Sequence, residues 1–517
     1  MELSMLIFFL LLPLSFAAAA AVKFLFFQTH KESNKRLPPG PPALPLLGNI
    51  QWLGTPLSDL HLVLRRLRSK YGPIITLFLG TRPAVFVFNP SLVHEALIQK
   101  GSSFASRPPA SEMTRFFNGN IQTIASAPYG PLWRLLRRNL MSEILHPSRV
   151  KSFAEGRMWV RDVLINRLRS HEQRGEPVRV AEMFQHAIFC LLLFMCFGEK
   201  LDESAVSEIE RAQQRLVNTF FSFHAMAFMP VVGRLVFRKA WKMALEMKDE
   251  RDQLMESLIR ARSARKEAGR RDDKKGFEFC YVDSLHALEL PEEGGRKPTE
   301  REMVTLCSEL LTGGTDTTST TMEWIMANLV KNPDQQSKLV DEIERVVGKE
   351  GEIREEDLPK MPYLQAVVKE GLRRHPPAHL LLSHAVSEEV TLGGYVIPKD
   401  AFINFTASEI GVDKEVWEDP LEFKPERFLK AEGGKGEEDV DITGSREVKM
   451  MPFGVGRRIC PALNLAILHL EFLVANLVRE FEWKPKKDGE IIDLTEKVEF
   501  TVVMKIPLEA KIISRRS

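Results

Sequence analysis

The sequence predicts a mainly α-helical protein with small β-sheets, a single large domain behind an N-terminal transmembrane helix. Three observations lead there. Helical apolar periodicity recurs along most of the chain, alternation of the strand kind is confined to short runs, and residues 3–22 form an uncharged, largely apolar stretch. Of the 517 residues, 44% are hydrophobic and 27% charged, which supplies a large core and argues against disorder. Lysine and arginine number 71 against 69 acids, so the net charge of +2 makes no field for a polyanion and nucleic acid is not an expected partner.

Residues 3–22 are long enough to span a bilayer, since a helix needs about 20 apolar residues to cross ~30 Å of hydrocarbon. The small residues 17–21 are also compatible with a cleaved secretory signal, but the leading segment holds Glu2 and no cation where such a signal needs positive charge. Retention as an anchor is the favoured reading. Lys23, Lys31, Lys35 and Arg36 follow, and an excess of cations marks the cytosolic side of a span. The proline-rich run 37–42 then favours a stiff, extended spacer over helix. The expected organisation is an anchor with basic stop at 1–30, a proline-rich hinge at 31–56 and a catalytic body at 57–517.

In the body, residues 74–79 and 84–88 have strand composition with turn residues between them. Helices are expected at 159–171, 208–221, 241–265, 300–331, 333–347 and 463–480. The charged runs 265–275 and 432–438 read as solvated loops. Five cysteines match neither a zinc pattern nor a disulfide framework, which suits a reducing compartment. Cys190, Cys196 and Cys307 lie among apolar helical neighbours and are expected in the core.

Cys460 is different. It closes the run Phe453-Gly454-Val455-Gly456-Arg457-Arg458-Ile459-Cys460 and directly precedes an apolar-periodic helix. Unpaired N–H groups and the helix dipole favour a thiolate there, the form of cysteine that binds metal. Gly454 and Gly456 permit a tight loop that approaches a flat ligand, and Arg457 and Arg458 bring charge suited to carboxylates. Phe453, Gly456, Arg458 and Cys460 in this spacing resemble the heme loop of the cytochrome P-450 superfamily, and the whole chain looks most like the plant microsomal members. The resemblance implies a P-450-type heme domain in which heme b (iron protoporphyrin IX) takes Cys460 as its axial ligand. It further implies that Arg458 meets a propionate, Phe453 shields the sulfur, and Gly456 shapes the loop. One departure is Ala462, where the pattern usually has glycine. Pro461 suits a first helical position, which gives Ala462 an ordinary negative φ.

The helix 300–331 opens with the capping box of Thr299 and Glu302, stops at Asn332-Pro333, and spans about 48 Å at 1.5 Å per residue. At its centre stands Thr312-Gly313-Gly314-Thr315-Asp316-Thr317-Thr318. Each glycine costs about 1 kcal/mol relative to alanine there, and threonines can bond backward to carbonyls, so a loosened turn is expected. Helix packing accounts for the glycines but poorly for Asp316. The segment resembles the family's oxygen-activating turn, which implies proton delivery by Asp316 and Thr317.

Glu370 and Arg373 are three apart on a helix, followed by Pro425-Glu426-Arg427-Phe428. By the likeness, Glu370, Arg373 and Arg427 form a buried structural network. Trp133 and Arg137 resemble the pair bordering the heme, the indole N–H and the guanidinium both serving propionates, and His384 occupies a position often taken by a cationic propionate contact. The implied function is a membrane-bound monooxygenase that inserts one oxygen atom of O2 into a small lipophilic substrate, with electrons from NADPH through an NADPH-cytochrome P-450 reductase. Arg138, Lys449 and Arg457 offer that partner a positive proximal surface. The implied location is the endoplasmic reticulum membrane, single-pass, with the body facing the cytosol. Two other readings remain open: rearrangement or dehydration of an oxygenated substrate without a reductase, which Asp316 and Thr317 disfavour, and a non-catalytic heme-binding protein. Pocket walls are expected at 113–121, 220–228, 378–382 and 500–502, where phenylalanines suit an apolar guest.

Overall fold

The computed structural model describes residues 37–44, 48–49, 59–222, 238–269, 279–429 and 440–516. The anchor at 1–30, most of the hinge, the pocket wall at 223–228 and the charged run 432–438 lie outside the described residues. In chain order the longer helices are α1 (Leu60–Tyr71), α2 (Pro131–Glu143), α3 (Ala154–Arg174), α4 (Val180–Phe197), α5 (Glu203–Ser222), α6 (Arg238–Gly269), α7 (Glu300–Lys331), α8 (Pro333–Val347), α9 (Pro362–Arg374) and α10 (Leu463–Glu480).

Helix α7 organises the rest. The Thr299 hydroxyl accepts from the Glu302 N–H at 3.3 Å while Glu302 accepts from the Thr299 N–H at 2.7 Å, which satisfies the first orphan donors. From Met322 to Val330 every residue is buried, with α9, α10 and α8 packed around it. On the other side α4 lies along α7 closely enough that a methyl on Gly314 would come within 2.7 Å of Leu192. Helix α4 is the one helix among the described residues long and apolar enough to cross a membrane. It is mostly buried, so its apolarity belongs to the core.

Four small sheets flank the helices. The largest has strand order β1 (Ile74–Leu79), β2 (Arg82–Val87), β7 (Phe402–Phe405), β4 (His384–Ala385). Strands β1 and β2 form an antiparallel hairpin, while β2 pairs parallel with β7, matching Val85 to Ile403. That parallel pairing draws a segment some 300 residues downstream under the N-terminal hairpin. A second sheet of β3 (Val178–Arg179), β11 (Glu509–Ser514) and β8 (Phe481–Pro485) ties the C-terminus to the start of α4. Two hairpins complete the set, β5 (Val390–Leu392) with β6 (Tyr395–Ile397) and β9 (Glu496–Val498) with β10 (Val502–Met504).

The helices expected at 300–331, 333–347 and 463–480 occur with those bounds. Helices α3, α5 and α6 run several residues past the expected ends, because charged side chains continue a helix as readily as apolar ones when they pair across it. Helix α6 thus reaches Gly269 and takes in the start of the charged run 265–275, with Arg265 ion-paired to Glu199. The second strand spans 82–87 in place of 84–88. Cys190, Cys196, Cys280 and Cys307 are buried free thiols.

Beneath α10 lies a buried ionic knot. The Arg373 Nε and Nη2 donate to the two Glu370 oxygens at 2.6 and 2.8 Å, and Nη1 donates to the carbonyls of Gly411 and Pro420 at 2.6 and 2.9 Å. Arg427 Nε and the Lys424 N–H both donate to Glu370 Oε1, at 3.1 and 2.8 Å. Glu370 and Arg373 have no solvent exposure in their side chains, and Trp417 lies against both arginines. Because every charge here is desolvated and multiply bonded, removing one partner is expensive. Arg373→Ala is expected to lose about 3–5 kcal/mol, read as thermal or denaturant unfolding; a loss below about 1 kcal/mol would mean that the knot relaxes.

Candidate functional site

The cysteine loop is shaped by its backbone. Gly454 and Gly456 adopt φ of 73° and 74°, the left-handed region that glycine occupies without cost. A methyl at Gly456 would collide with the Leu97 carbonyl, so its close approach is to the protein's own chain rather than to a ligand. The loop returns to itself where the Cys460 N–H donates to the Phe453 carbonyl at 2.8 Å. Ala462 has φ −94° and ψ 18°, immediately before the first helical residue Leu463, so alanine stands there without strain, although the helix begins two residues after Pro461.

The Cys460 thiol is half-buried. The Ala462 N–H bonds to it and Arg137 adds positive charge, both of which favour the thiolate. Burial outweighs them and pushes the thiol pKa up, so a helix start alone does not ionise this cysteine. The protein surroundings leave the thiolate short of positive charge.

A cationic rim lies beside it. Arg458 donates to the carbonyls of Ala105, Ile124 and Ala127 at 2.7, 3.1 and 2.6 Å and stacks over the Trp133 ring at 4.4 Å. Arg137 donates to the Ile459 carbonyl at 2.6 Å. Arg107, which the sequence reading missed, donates to the carbonyls of Ala125, Leu382 and Ser383. Burial, then repulsion from Arg107 and Arg137, lowers the Arg458 pKa to about 9, and burial lowers Arg107 to about 10. Among the described residues no carboxylate is within ion-pair distance of these three arginines. The Trp133 indole Nε1, buried beside them, has no hydrogen-bond partner. His384 bonds through Nδ1 to the Phe104 carbonyl at 2.6 Å, and burial next to Arg107 brings its pKa down to about 3. It is therefore a neutral imidazole among the cations, where sequence analysis anticipated a cationic contact.

The centre of α7 stays helical through both glycines. Gly313 is exposed in the middle of this otherwise enclosed helix, with no atom within 4 Å of where a Cβ would stand. The Thr317 hydroxyl donates back to the Gly313 carbonyl at 2.7 Å, and Thr321 and Ser319 repeat that bond at 2.8 and 2.9 Å. Asp316 accepts from Gln185 of α4 at 2.8 Å. Burial raises its carboxyl to about 6, with Glu210 adding to the rise and Gln185 opposing it. A cavity of about 360 Å3 lined by Gln185, Asp316, Thr320, Phe500 and Thr501 opens beside it. Of the expected pocket aromatics, Phe117 packs on Leu216 and Phe116 on Trp241, 4.3 Å between rings, so both fill a small core between elements.

A large helical body, a half-buried cysteine in a glycine-turned loop and an uncompensated cationic rim together define a heme-thiolate type of protein. The Cytochrome P450 family model matches residues 38–513, and the chain belongs to that family. Among curated relatives it is 45% identical to Cytochrome P450 89A9 of Arabidopsis thaliana, over the full length of both, and 34% identical to an isoflavone 3'-hydroxylase of Medicago truncatula, covering 98% of this chain and 97% of that one. A zebra fish cytochrome P450 solved with progesterone shares the fold at a TM-score of 0.71 and 23% identity, over 88% of this chain and 99% of that chain. Family and fold imply heme, and the residues present suit it. The open turn at Gly313 leaves room, the positive charge of Arg137 does not offset burial of the thiol, the arginines have no carboxylate within ion-pair distance among the described residues, and the Trp133 N–H lacks an acceptor.

The raised Asp316 carboxyl has a measurable consequence. Since folding raises its pKa, the stabilisation is fully present below the ordinary value of 3.8 and is lost as pH rises through about 6. Relative to Asp316→Asn, the parent is expected to gain about 1 kcal/mol of unfolding free energy between pH ~7.5 and pH ~5. Parallel stability curves for the two proteins would contradict the assignment.

Proposed function

We propose that this protein is a heme-thiolate monooxygenase that inserts one oxygen atom of O2 into a small lipophilic substrate, with electrons from NADPH through a reductase. The observation that carries the reading is the pairing of the charge-deficient Cys460 thiol with a rim whose cations and indole N–H have no anion of their own. Cys460 would hold the iron, and Trp133, Arg137 and Arg458 would hold the propionates. When bound, the cofactor supplies O2 binding and reductive O–O cleavage, which thiolate donation favours.

The chain's own residues then manage protons and water. Asp316, titrating near pH 6, holds or releases a proton close to neutrality, as a proton-transfer group must. Gln185 aims its carboxyl, and the cavity beside it admits water. The Thr317 hydroxyl, one residue on, is free to exchange its bond to the Gly313 carbonyl for one to a guest at the open turn. This arrangement supports oxygen activation over rearrangement of an already oxygenated substrate, which needs no proton delivery. The matched relatives named as an isoflavone hydroxylase, a flavonoid monooxygenase and a costunolide synthase support a lipophilic plant metabolite as substrate. Anchoring of residues 1–30 in the endoplasmic reticulum and docking of an acidic reductase near Arg138, Lys449 and Arg457 complete the reading.

The reduced, carbon-monoxide-bound protein is expected to show the red-shifted Soret band of thiolate ligation, and Cys460→Ala to abolish it; a retained band would refute the assignment. Thr317→Ala should keep the band but release consumed oxygen as peroxide, lowering product per NADPH by about tenfold or more. Unchanged coupling would remove Thr317 from the proton path.

A further inference from the structure

Residues 123–127 form neither helix nor strand; the Ala127 N–H donates to the Thr123 carbonyl at 2.9 Å and the Thr123 N–H to Ser126 Oγ at 3.0 Å, while other backbone groups depend on partners elsewhere. The carbonyls of Ile124 and Ala127 accept from Arg458 at 3.1 and 2.6 Å, and that of Ala125 accepts from Arg107 at 2.9 Å. Three of the donors that hold the rim in place thus end on this one loop. Two of the loop's own N–H groups turn the other way. Those of Ile124 and Ala125 donate to Glu309 Oε2 and Oε1 at 3.0 and 2.7 Å. Glu309 belongs to α7, four residues before the open Gly313 and eight before Thr317, on the same helix face.

We propose that Glu309 is the positioning residue for Arg458: its carboxylate fixes loop 123–127 in the conformation whose carbonyls aim the guanidinium at the cofactor. The inference rests on the proposed heme-thiolate function and assigns a role to a residue outside the recognised motifs. Burial raises the Glu309 carboxyl above its ordinary range, and the bonds from Thr123, Ala125 and Ile124, with the charge of Arg107, oppose that rise without cancelling it. These are the contacts that a carboxylate makes and a neutral amide cannot reproduce. A glutamine keeps one acceptor oxygen but turns an NH2 against the second backbone N–H, leaving that donor unsatisfied. The loop then loses one of its two anchors, and Arg458 loses two of its three fixed acceptors. Glutamate at 309 also ties the clamp to the helix that carries Gly313, Asp316 and Thr317, so one element registers both faces of the cofactor site.

The test uses the heme-loaded full chain and compares parent, Glu309→Gln and Glu309→Asp. Glu323→Gln serves as control, since Glu323 is a carboxylate in the interior part of α7 that likewise accepts a backbone N–H, that of Leu508 at 2.9 Å. Heme loss to a scavenging apo-globin and the propionate-bending band in resonance Raman are measured. Glu309→Gln is expected to lose heme roughly 10- to 100-fold faster with a shifted propionate band, Glu309→Asp to recover part of both, and Glu323→Gln to change neither. If Glu309→Gln does not accumulate folded, Thr123→Val, which removes only the hydroxyl beside the carboxylate, is expected to shift the same two readouts by smaller factors. Parental heme loss and an unshifted band in the folded Glu309 or Thr123 variant overturn the proposal, as does an equal effect in Glu323→Gln. A parent chain without the thiolate Soret band fails the proposed function instead.

Discussion

The structure depends on one helix meeting two opposed demands. Helix α7 is buried along most of its length, with α4 close enough at Gly314 that a methyl there would have to displace the Leu192 side chain, yet at Gly313 it must leave one face open. A helix enclosed on all sides would have no place for a guest, and one opened by a break would lose the backbone bonds that burial makes obligatory. Two glycines and a ladder of hydroxyls reconcile the demands. Gly314 admits the neighbouring helix, Gly313 leaves the gap, and Thr317, Ser319 and Thr321 bond back to carbonyls so that the ladder continues past the opening.

The charges follow from that gap. Around it the protein collects Arg107, Arg137 and Arg458 and bonds them to backbone carbonyls, while the carboxylate of Glu309 acts on Arg107 and Arg458 only from beyond ion-pair distance. Burial first, and then repulsion within the group, lowers the arginine at 458. On the proposed reading, a metal-bearing guest with two carboxylates would give the arginines anions and the thiol a cation. The Glu370–Arg373–Arg427 knot follows the other strategy. There two guanidiniums share one carboxylate and their remaining nitrogens find backbone carbonyls, which suits a group that braces and does not bind.

Local signals were legible where one stretch of chain holds all the partners. The capping box at Thr299, the proline stop at Pro333 and the apolar repeat of 463–480 define their helices with no help from distant residues. The motif residues Cys460, Asp316, Thr317 and Glu370 stand out by spacing. The charged run from 265 misled, because Arg265 is held in α6 by Glu199, which no local pattern reveals. The charge of His384 was not legible either, since burial first and then Arg107, far away in sequence, set it.

The sequence by itself determined the helical class, the cysteine loop, the oxygen-side turn and the apolar N-terminal stretch, because each rests on periodicity or on side-chain types a few residues apart. Only the tertiary structure decided which residues support them. Gln185 on Asp316, Glu309 on loop 123–127 and Arg107 in the rim are ordinary polar residues in sequence. The protonation of Cys460, Asp316 and His384 was likewise decided in three dimensions. Burial and neighbouring charge set those equilibria, and both are properties of segments that meet only after the chain has folded.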